Sequence, residues 1–484
     1  MILSDPSILE NKTFPVIIIG SGPAGISTAL ELDKYNIETL IIEAGSRKFN
    51  DEQERFFNGY LNNSELPSLN SRRTRAFGGT SYRWGGYCNR FEKEELENWP
   101  LTHAELHEHE NECNKILGLK NYHTDFYIRE FSNELNQYHM RFASNLKFEE
   151  HYYEEIKNSK NISLSLETMF MEFRGSKNNV TSIKCKKDNK IFEIKSKYFV
   201  LACGGIENSR LLLWSQKKNP NLFNKNLQIG KKYMDHSARR GAAEGFLNYK
   251  KLINYFKKLN IERDYYIDCL PRLYLSPNAV FREQKNILNT GVYIRVQNSK
   301  HNNPNINKFL RKAYCISPNF FKTVLEEDKK NEIYKFKVRL HPEQEPNLNN
   351  TVKLSDKVDP IGIPLPKISW RTSDQMKLSN KISLISLGNF LVQNDIGRLA
   401  IDEKIFDINK FKFKFNGNHQ IGGTCMGNDV NSSVVDKNLK VHFVNNLYIS
   451  GSSTFPTSGH NHPTYTIVLL SLRLANHLKN KKNI

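Results

Sequence analysis

Residues 14–25, Phe14-Pro-Val-Ile-Ile-Ile-Gly-Ser-Gly-Pro-Ala-Gly25, decide the fold. Phe14–Ile19 is a short apolar run rich in β-branched side chains, which suits a strand buried on both faces. Gly20-x-Gly22-x-x-Gly25 follows at once, Ile26–Lys34 carries apolar positions at helical spacing, and Ile37–Ile42 reads as a second buried strand ending on Glu43. Strand, glycine turn, helix and strand make one βαβ unit, a right-handed crossover in a parallel sheet. Gly20 permits the tight turn, Gly22 lets the main chain approach a pyrophosphate, and Gly25 lets helix and strand pack closely. With Pro23 and Ala24 they open a helix whose unpaired N–H groups and dipole favour phosphate. Glu43, followed by Ala44, stands where a carboxylate accepts ribose hydroxyls. An acid there repels the 2′-phosphate of NADP and admits NAD or FAD.

The chain has 484 residues, 38% hydrophobic and 11% aromatic, a globular composition with room for two or three domains. No stretch nears the roughly 18 apolar residues of a membrane span. Phe14–Ile19 is too short, and wrongly flanked, for a signal peptide, so a cytoplasmic location is expected. Seven cysteines (Cys88, Cys113, Cys185, Cys203, Cys269, Cys315, Cys425) are scattered, odd in number and free of any Cys-x-x-Cys pair. Reduced, mostly buried thiols are therefore expected, with no metal site or disulfide framework. The net charge of +19 favours an anionic partner, either a phosphate-bearing substrate or a membrane surface. Lysine is spread among many Asn and Ile residues without a dense block, so compositional bias is the preferred explanation of the charge, and no nucleic-acid partner is expected. The basic and apolar stretch Asn307–Leu325 reads as a solvated helix face, or as a resting surface for a membrane or an anionic substrate.

Residues 71–90 are rich in Gly and aromatics and read as an ordered loop, and about 100–160 reads as helical and charged. Strand-like runs return at Ile162–Leu166 and Phe192–Leu201, the latter reaching Gly204 and Gly205 before a helix through Leu213. Between about 240 and 415 alternating runs such as Tyr293–Val296 and Tyr334–Leu340 predict an antiparallel sheet with one wet face. The C-terminus returns to the first style, with a strand at Asn446–Ser450, then Gly451, a loop, and a helix from Thr464 to Leu478. The expected fold is α/β: a Rossmann-like dinucleotide domain on a parallel sheet, from residues 1–100, 160–240 and 416–484, with an inserted α+β substrate domain on an antiparallel sheet, from 101–159 and 241–415. A nicotinamide domain is commonly one contiguous block, whereas a flavin buried along the molecule needs late strands, so the C-terminal return favours FAD.

Three further segments join the Gly20–Gly25 turn and Glu43. They are Arg75-Ala-Phe-Gly-Gly-Thr-Ser-Tyr-Arg-Trp-Gly-Gly86, Leu201-Ala-Cys-Gly-Gly-Ile-Glu-Asn-Ser-Arg210, and a stretch from His419 through Gly423-Thr-Cys-Met-Gly427, Val435-Asp436 and Gly451-Ser452 to His462-Pro-Thr464. In this order they resemble the glucose–methanol–choline (GMC) family of FAD-dependent alcohol oxidoreductases, in particular its pyranose-oxidase-like and bacterial sugar dehydrogenase branches. Gly230-Lys-Lys-Tyr-Met-Asp-His236 is similar to a family segment as well. The resemblance implies FAD as cofactor. It places Gly78, Gly79, Thr80, Ser81, Trp84, Gly85 and Gly86 in a loop over the flavin, and Ala202, Cys203, Gly204 and Asn208 near its phosphates. Phe170, Gly451, Ser452, Pro463 and Thr464 are further expected contacts. Trp84 packs on the flavin or serves as a core aromatic. Pyranose-oxidase-like members bond the flavin covalently through a His in this loop; Arg83 stands here instead, so noncovalent FAD is expected.

Oxidising an alcohol requires a base for the hydroxyl proton and an acceptor, flavin N5, for the hydride. Neutral imidazole suits the first task, with a pKa near ~6.5. The family pattern puts His419 at the base position and His462 at the partner position that stabilises the developing alkoxide, where Asn is more usual. Which of the two takes the proton stays open, with His419 preferred. His460 and Asn461 flank the second position, and His236 is expected to be structural. The expected substrate is a small hydroxyl compound (a sugar, cyclitol or sugar conjugate), with an electron acceptor the motifs do not name. The alternatives are an NAD-dependent dehydrogenase and a basic binding protein with a structural nucleotide.

Overall fold

The computed structural model describes residues 1–3, 5–62, 64–66, 69, 72–119, 128–138, 140–237, 239–258, 272–296, 333–407 and 418–481. The stretch Asn307–Leu325, Cys269 and Cys315 lie outside them.

The opening βαβ unit forms as β1 (Thr13–Ile19), α1 (Pro23–Asp33) and β2 (Thr39–Ile42). Val16–Ile19 are at most 2% exposed, as a strand covered on both faces requires. The helix starts three residues earlier than its apolar spacing suggested, because Pro23 sits at its first position, where the missing N–H would have no partner anyway. Further strands of this sheet are β3 (Ile162–Ser165), β4 (Met169–Ser176), β5 (Asn179–Lys187) and β6 (Lys190–Leu201). After β6 comes α2 (Gly205–Lys218), and the C-terminus adds β7 (Leu447–Ile449) and α3 (Thr464–Lys479), which packs on α1.

The order is β3-β2-β1-β6-β5-β4, with β7 also paired to β6. Strands β3, β2, β1, β6 and β7 run parallel, β5 runs antiparallel to β6, and β4 forms a hairpin with β5. The register sets Ile19 opposite both Ile42 and Leu201, and Leu201 opposite Ile449. The ladder continues one step into the turns: Gly20 N–H donates to the Ile42 carbonyl, Ala202 N–H to Ile19 and Ser450 N–H to Leu201, at 2.8–2.9 Å. The turns after β1, β6 and β7 therefore leave one edge together, at the carboxyl ends where open α/β sheets bind ligands.

A second sheet is antiparallel throughout, in the order Gly397–Ile401, Arg239–Asn248, Ile333–Pro342, Thr290–Val296, Arg272–Pro277, Leu135–Tyr138, Ile128–Glu130. Leu384, Leu387, Phe390 and Leu391 of the helix Asp374–Gln393 cover one face, against Val292, Ile294, Phe336, Val338 and Leu340. The antiparallel sheet is the expected one, but its second face is wet only in part: Lys335, Lys337 and Arg295 are exposed there, whereas Tyr138, Tyr274, Tyr293 and His341 are buried. The span 100–160 is not all helical, however. Helices form at His103–His107, Glu110–Leu117 and Phe148–Asn158, but Leu135–Tyr138 lies between them as a strand held by pairing with Arg272–Pro277. Tertiary pairing overrides local propensity there.

A third sheet was not legible in the sequence. It joins Ile421–Gly423, Lys231–Met234, Thr351–Val358, Pro364–Ser369 and Tyr60–Leu61. Its pairing of Met234 with Ile421 is antiparallel, and the same register carried two residues further sets His236 opposite His419. Among the described residues no helix is long and apolar enough to cross a membrane.

A Cβ added at Gly25 would lie 2.0 Å from the Gly20 carbonyl oxygen, whereas one at Gly22 would meet nothing within 4 Å. Gly25→Ala is therefore expected to lower the stability of the cofactor-free protein by roughly 1–3 kcal/mol, the cost of overpacking. Gly22→Ala should leave that stability nearly unchanged and weaken dinucleotide binding. Thermal melts and flavin titration of the two variants check this, and equal melting losses would contradict it.

Candidate active site

The glycine turn and its neighbours form an open cradle at the carboxyl edge. Gly22 caps α1 without any side-chain hydrogen bond; Pro23 has no N–H and Ile26 N–H donates to the Gly22 carbonyl at 3.0 Å, so Ala24 and Gly25 are the first-turn residues that keep their N–H groups for an outside acceptor. Gly204, at φ 88°, caps α2, and a Cβ there would also meet nothing within 4 Å. Gly78 N–H donates to the Ser21 carbonyl at 2.9 Å, and a Cβ on Gly79 would lie 2.9 Å from the Gly22 Cα. The loop carrying Gly78, Gly79, Thr80 and Ser81 thus lies directly on the first turn, as a lid over a bound dinucleotide must. Free space over Gly22 and Gly204, with unpaired N–H groups beside it, fits a pyrophosphate.

Glu43 is buried and already engaged: it accepts from Ser21 N–H (3.0 Å), Ser21 Oγ (2.6 Å) and Gly45 N–H (2.8 Å). A carboxylate has about four acceptor positions, which leaves one for a ribose hydroxyl. Asn208 braces the edge, its Oδ1 accepting from Cys203 N–H (2.7 Å) and its Nδ2 donating to Ser450 O (3.2 Å) and Ser453 Oγ (2.9 Å). Ser452, next to Gly451, donates to the Gln420 carbonyl at 2.5 Å and so ties the β7 turn to the segment bearing His419. Trp84 donates its indole N–H to the Leu146 carbonyl and packs against the main core beside Gly85 and Gly86. Phe170 buries its ring against Phe173 at 4.7 Å, although its strand begins next to the Thr168 N–H that donates to the Glu43 carbonyl (2.9 Å). Arg83 is exposed, with Nε on Thr74 Oγ1 at 3.0 Å.

His419 and His462 come together, with ring centroids 4.7 Å apart. Two further imidazoles complete a cluster that sequence reasoning did not assemble. His236 Nδ1 lies 2.8 Å from His419 Nδ1, and His341 stacks on His462 at 4.8 Å. Each member comes from a different place: His236 and His419 face each other beyond the five-stranded sheet, His341 ends a strand of the antiparallel sheet, and His462 precedes Pro463 and Thr464 at the start of α3. His236 and His341 have no exposed surface, whereas His419 and His462 are half-buried, so the two residues singled out from sequence form the open front of the cluster. Of the flanking residues, His460 turns away to Glu95 (2.7 Å), and Asn461 donates to the Arg90 carbonyl (2.7 Å). The only sequence signal for His341 was its position directly after the strand read at Tyr334–Leu340.

Burial drives all four imidazoles toward the neutral form. His236 is pushed down to about 4, and His341, His419 and His462 fall well below their ordinary value. For His419 desolvation dominates, with His462, His236, Arg339 and Arg72 adding repulsion. His236, His341 and His419 also bring ligand nitrogens within 4.8 Å of one another, but His236 and His419 are hydrogen-bonded to each other at 2.8 Å.

Behind the cluster Asn289 Nδ2 bridges Glu92 (3.2 Å) and Glu95 (3.1 Å), and Arg282 pairs with Glu92 at 3.1 Å. Burial would raise the Glu95 carboxyl, but its partner His460, the Glu92 N–H and Arg282 outweigh this and hold it at about 2. For Glu343, burial and then the charge of Glu95 push the carboxyl up to about 7.

Fold and site together define a flavoprotein-type dinucleotide domain whose carboxyl edge faces a histidine cluster. The family model described as GMC oxidoreductase matches residues 346–471, and that described as FAD binding domain matches residues 13–58. The chain is 27% identical over 318 residues to the fructose dehydrogenase large subunit of Gluconobacter japonicus, a match covering 63% of this chain and 51% of that protein. It thus spans about half the length of the curated relative it matches. Among solved structures, pyridoxine 4-oxidase from Mesorbium loti superposes with a TM-score of 0.59 at 14% identity, covering 97% of this chain and 100% of the other. A variant of the Aspergillus oryzae formate oxidase gives 0.59 at 13%, covering 97% and 98%. Residues 346–471 thus carry the pattern of a GMC oxidoreductase and residues 13–58 that of an FAD-binding domain, and FAD is the cofactor.

An unfolded chain protonates histidine near ~6.5. Here His236 stays neutral down to about 4, and His341, His419 and His462 are depressed in the same direction. Between these limits the unfolded state binds more protons, so stability is lost as pH falls. Glu343 and Glu92, both raised, act oppositely but are outnumbered. The melting temperature should fall steadily from about pH 6.5 to about pH 4; a flat profile in a pH-scanned melt would show that the imidazoles are charged in the folded protein.

Proposed function

We propose that this protein oxidises a hydroxyl of a sugar, cyclitol or sugar conjugate to a carbonyl, with His419 as base and His462 as the partner that holds the developing alkoxide. The observation that carries this reading is the pairing of two half-open, neutral imidazoles, 4.7 Å apart, backed by two closed ones. FAD, when bound, supplies the two-electron acceptor for the substrate hydride. The chain's own part is proton chemistry. The O–H bond breaks, its proton goes to an imidazole nitrogen of His419, and the carbon that loses hydride becomes the carbonyl carbon. A neutral base needs no prior deprotonation, and the depressed His419 meets that condition at neutral pH.

Similarity to a fructose dehydrogenase subunit supports a sugar-like substrate, and the word subunit in that protein's name supports a partner protein that carries electrons away. Arg83, which cannot form a histidyl bond to the flavin, supports noncovalent attachment. Trichloroacetic acid should therefore release all the flavin, and coloured pellet would refute this part. The formal charge of +19 supports a phosphate-bearing or otherwise anionic substrate.

The deciding experiment is anaerobic bleaching of the flavin by a panel of sugars, cyclitols and nucleotide sugars. At least one should reduce it. His419→Ala should retain FAD and slow that reduction by roughly 10²–10⁴-fold, the usual contribution of a general base; reduction at the parent rate would remove His419 from the mechanism.

A further inference from the structure

We propose that His236 is a positioning residue that fixes the tautomer of His419, so that Nε2 of His419 is the atom that receives the hydroxyl proton. What that atom does rests on the alcohol-oxidation reading above; which tautomer is present does not. A neutral imidazole carries one N–H donor and one bare acceptor, and the partner of one nitrogen decides the state of the other. His236 Nε2 lies 2.7 Å from the carbonyl oxygen of Gly459. A carbonyl only accepts, so the proton of His236 sits on Nε2 and its Nδ1 is a lone pair. That lone pair lies 2.8 Å from Nδ1 of His419. Two bare nitrogens at this distance would repel, so His419 carries its proton on Nδ1 and leaves Nε2 bare. One main-chain carbonyl thereby sets two imidazoles in series.

The neighbouring contacts act in the same direction. Asp235 Oδ1 accepts the main-chain N–H of His419 at 3.0 Å, and Asp235 is itself held by Arg72 and by the Tyr233 hydroxyl at 3.4 Å. Two consecutive residues, Asp235 and His236, grip His419 by main chain and by ring, as the sheet register that sets 236 opposite 419 allows. His341 obeys the same rule: its Nδ1 donates to the His460 carbonyl at 2.9 Å, and its buried Nε2 has no hydrogen-bond partner. It therefore offers no proton that competes for the His236 lone pair. The other groups facing His419 are His462 and the cations Arg339 and Arg72, which oppose a second proton on either ring. Without the His236 bond nothing holds the His419 proton on Nδ1, and the other tautomer presents a donor, not a base, to the hydroxyl.

The test reads the tautomer directly, by nitrogen NMR of histidine-labelled, FAD-loaded protein at neutral pH, with His419→Gln to assign the signal. The expected result is Nδ1–H with a bare Nε2 at His419. In His236→Phe the signature should mix or invert. FAD content and KM for the bleaching alcohol should stay within about twofold while the reduction rate falls roughly 10- to 100-fold, part of what a base contributes, and the acid limb of the rate profile should move. An Nε2–H signature in the parent protein overturns the proposal, as does a His236→Phe protein that reduces at the parent rate. If that variant does not fold, the parent spectrum alone decides. If no alcohol reduces the flavin, the assigned reaction fails while the tautomer measurement stands.

Discussion

Strand β6 is the member on which the geometry of this protein depends, because it pairs in parallel with both β1 and β7. Its first half is occupied by the hairpin strand β5, and only its last three residues, Phe199–Leu201, take up the C-terminal strand. That short pairing brings the glycine turn after β1, the turn after β6 and the loop after β7 to one edge. A one-residue slip would send every side chain to the opposite face of a sheet covered on both sides, so the register has little freedom. Asn208 then locks the arrangement, since it touches the main chain of the β6 turn and of the β7 loop together.

Burying four imidazoles is tolerable because all four are neutral. A buried unpaired charge costs far more than a buried neutral ring, and the protein avoids that cost by depressing each basicity rather than by pairing each ring with an acid. The carboxylates lie one layer further back, where Glu92 and Glu95 meet Arg282, Asn289 and His460. A buried ion pair is stabilising only when its remaining lone pairs are satisfied. Asn289 supplies two such bonds and the main-chain N–H of Glu92 a third, to Glu95 at 2.8 Å. The carboxylate that does reach His419, that of Asp235, accepts its main-chain N–H and is paired with Arg72.

The βαβ opening, the strand returning at Leu201 and the last helix were legible because each is a continuous run with a single period. The antiparallel sheet was legible as a type, through the alternation in Tyr334–Leu340. Three features escaped. The β4–β5 hairpin turns on Lys177 and Asn178, both at positive φ, where Asn-Gly would have announced it. The five-stranded sheet assembles short pieces from five places, none with a period of its own. The four-histidine cluster escaped in part for the same reason: His419 and His462 could be placed by resemblance, but His236 joins them through strand register and His341 through the antiparallel sheet. His460 and Asn461, two and one residues before His462, show how little sequence position alone decides, since their side chains point to Glu95 and Arg90.

Desolvation that keeps His419 neutral also weakens it as a base, and the site must reconcile the two. In the resting protein His462, His236, Arg339 and Arg72 all oppose a proton on its ring. A substrate oxygen that gains negative charge beside it reverses the balance. At about 4 Å and an effective dielectric near 20, opposite charges attract by about 4 kcal/mol. That corresponds to about three pKa units, in the direction opposite to the effect of burial. The same cations that depress the resting imidazole would stabilise the developing alkoxide. Basicity then appears only as the O–H bond breaks, and the bond from His419 Nδ1 to His236 lets the positive charge formed on the ring remain hydrogen-bonded at its closed side. The two closed imidazoles are thus part of the chemistry's supporting frame, although neither needs to meet the substrate.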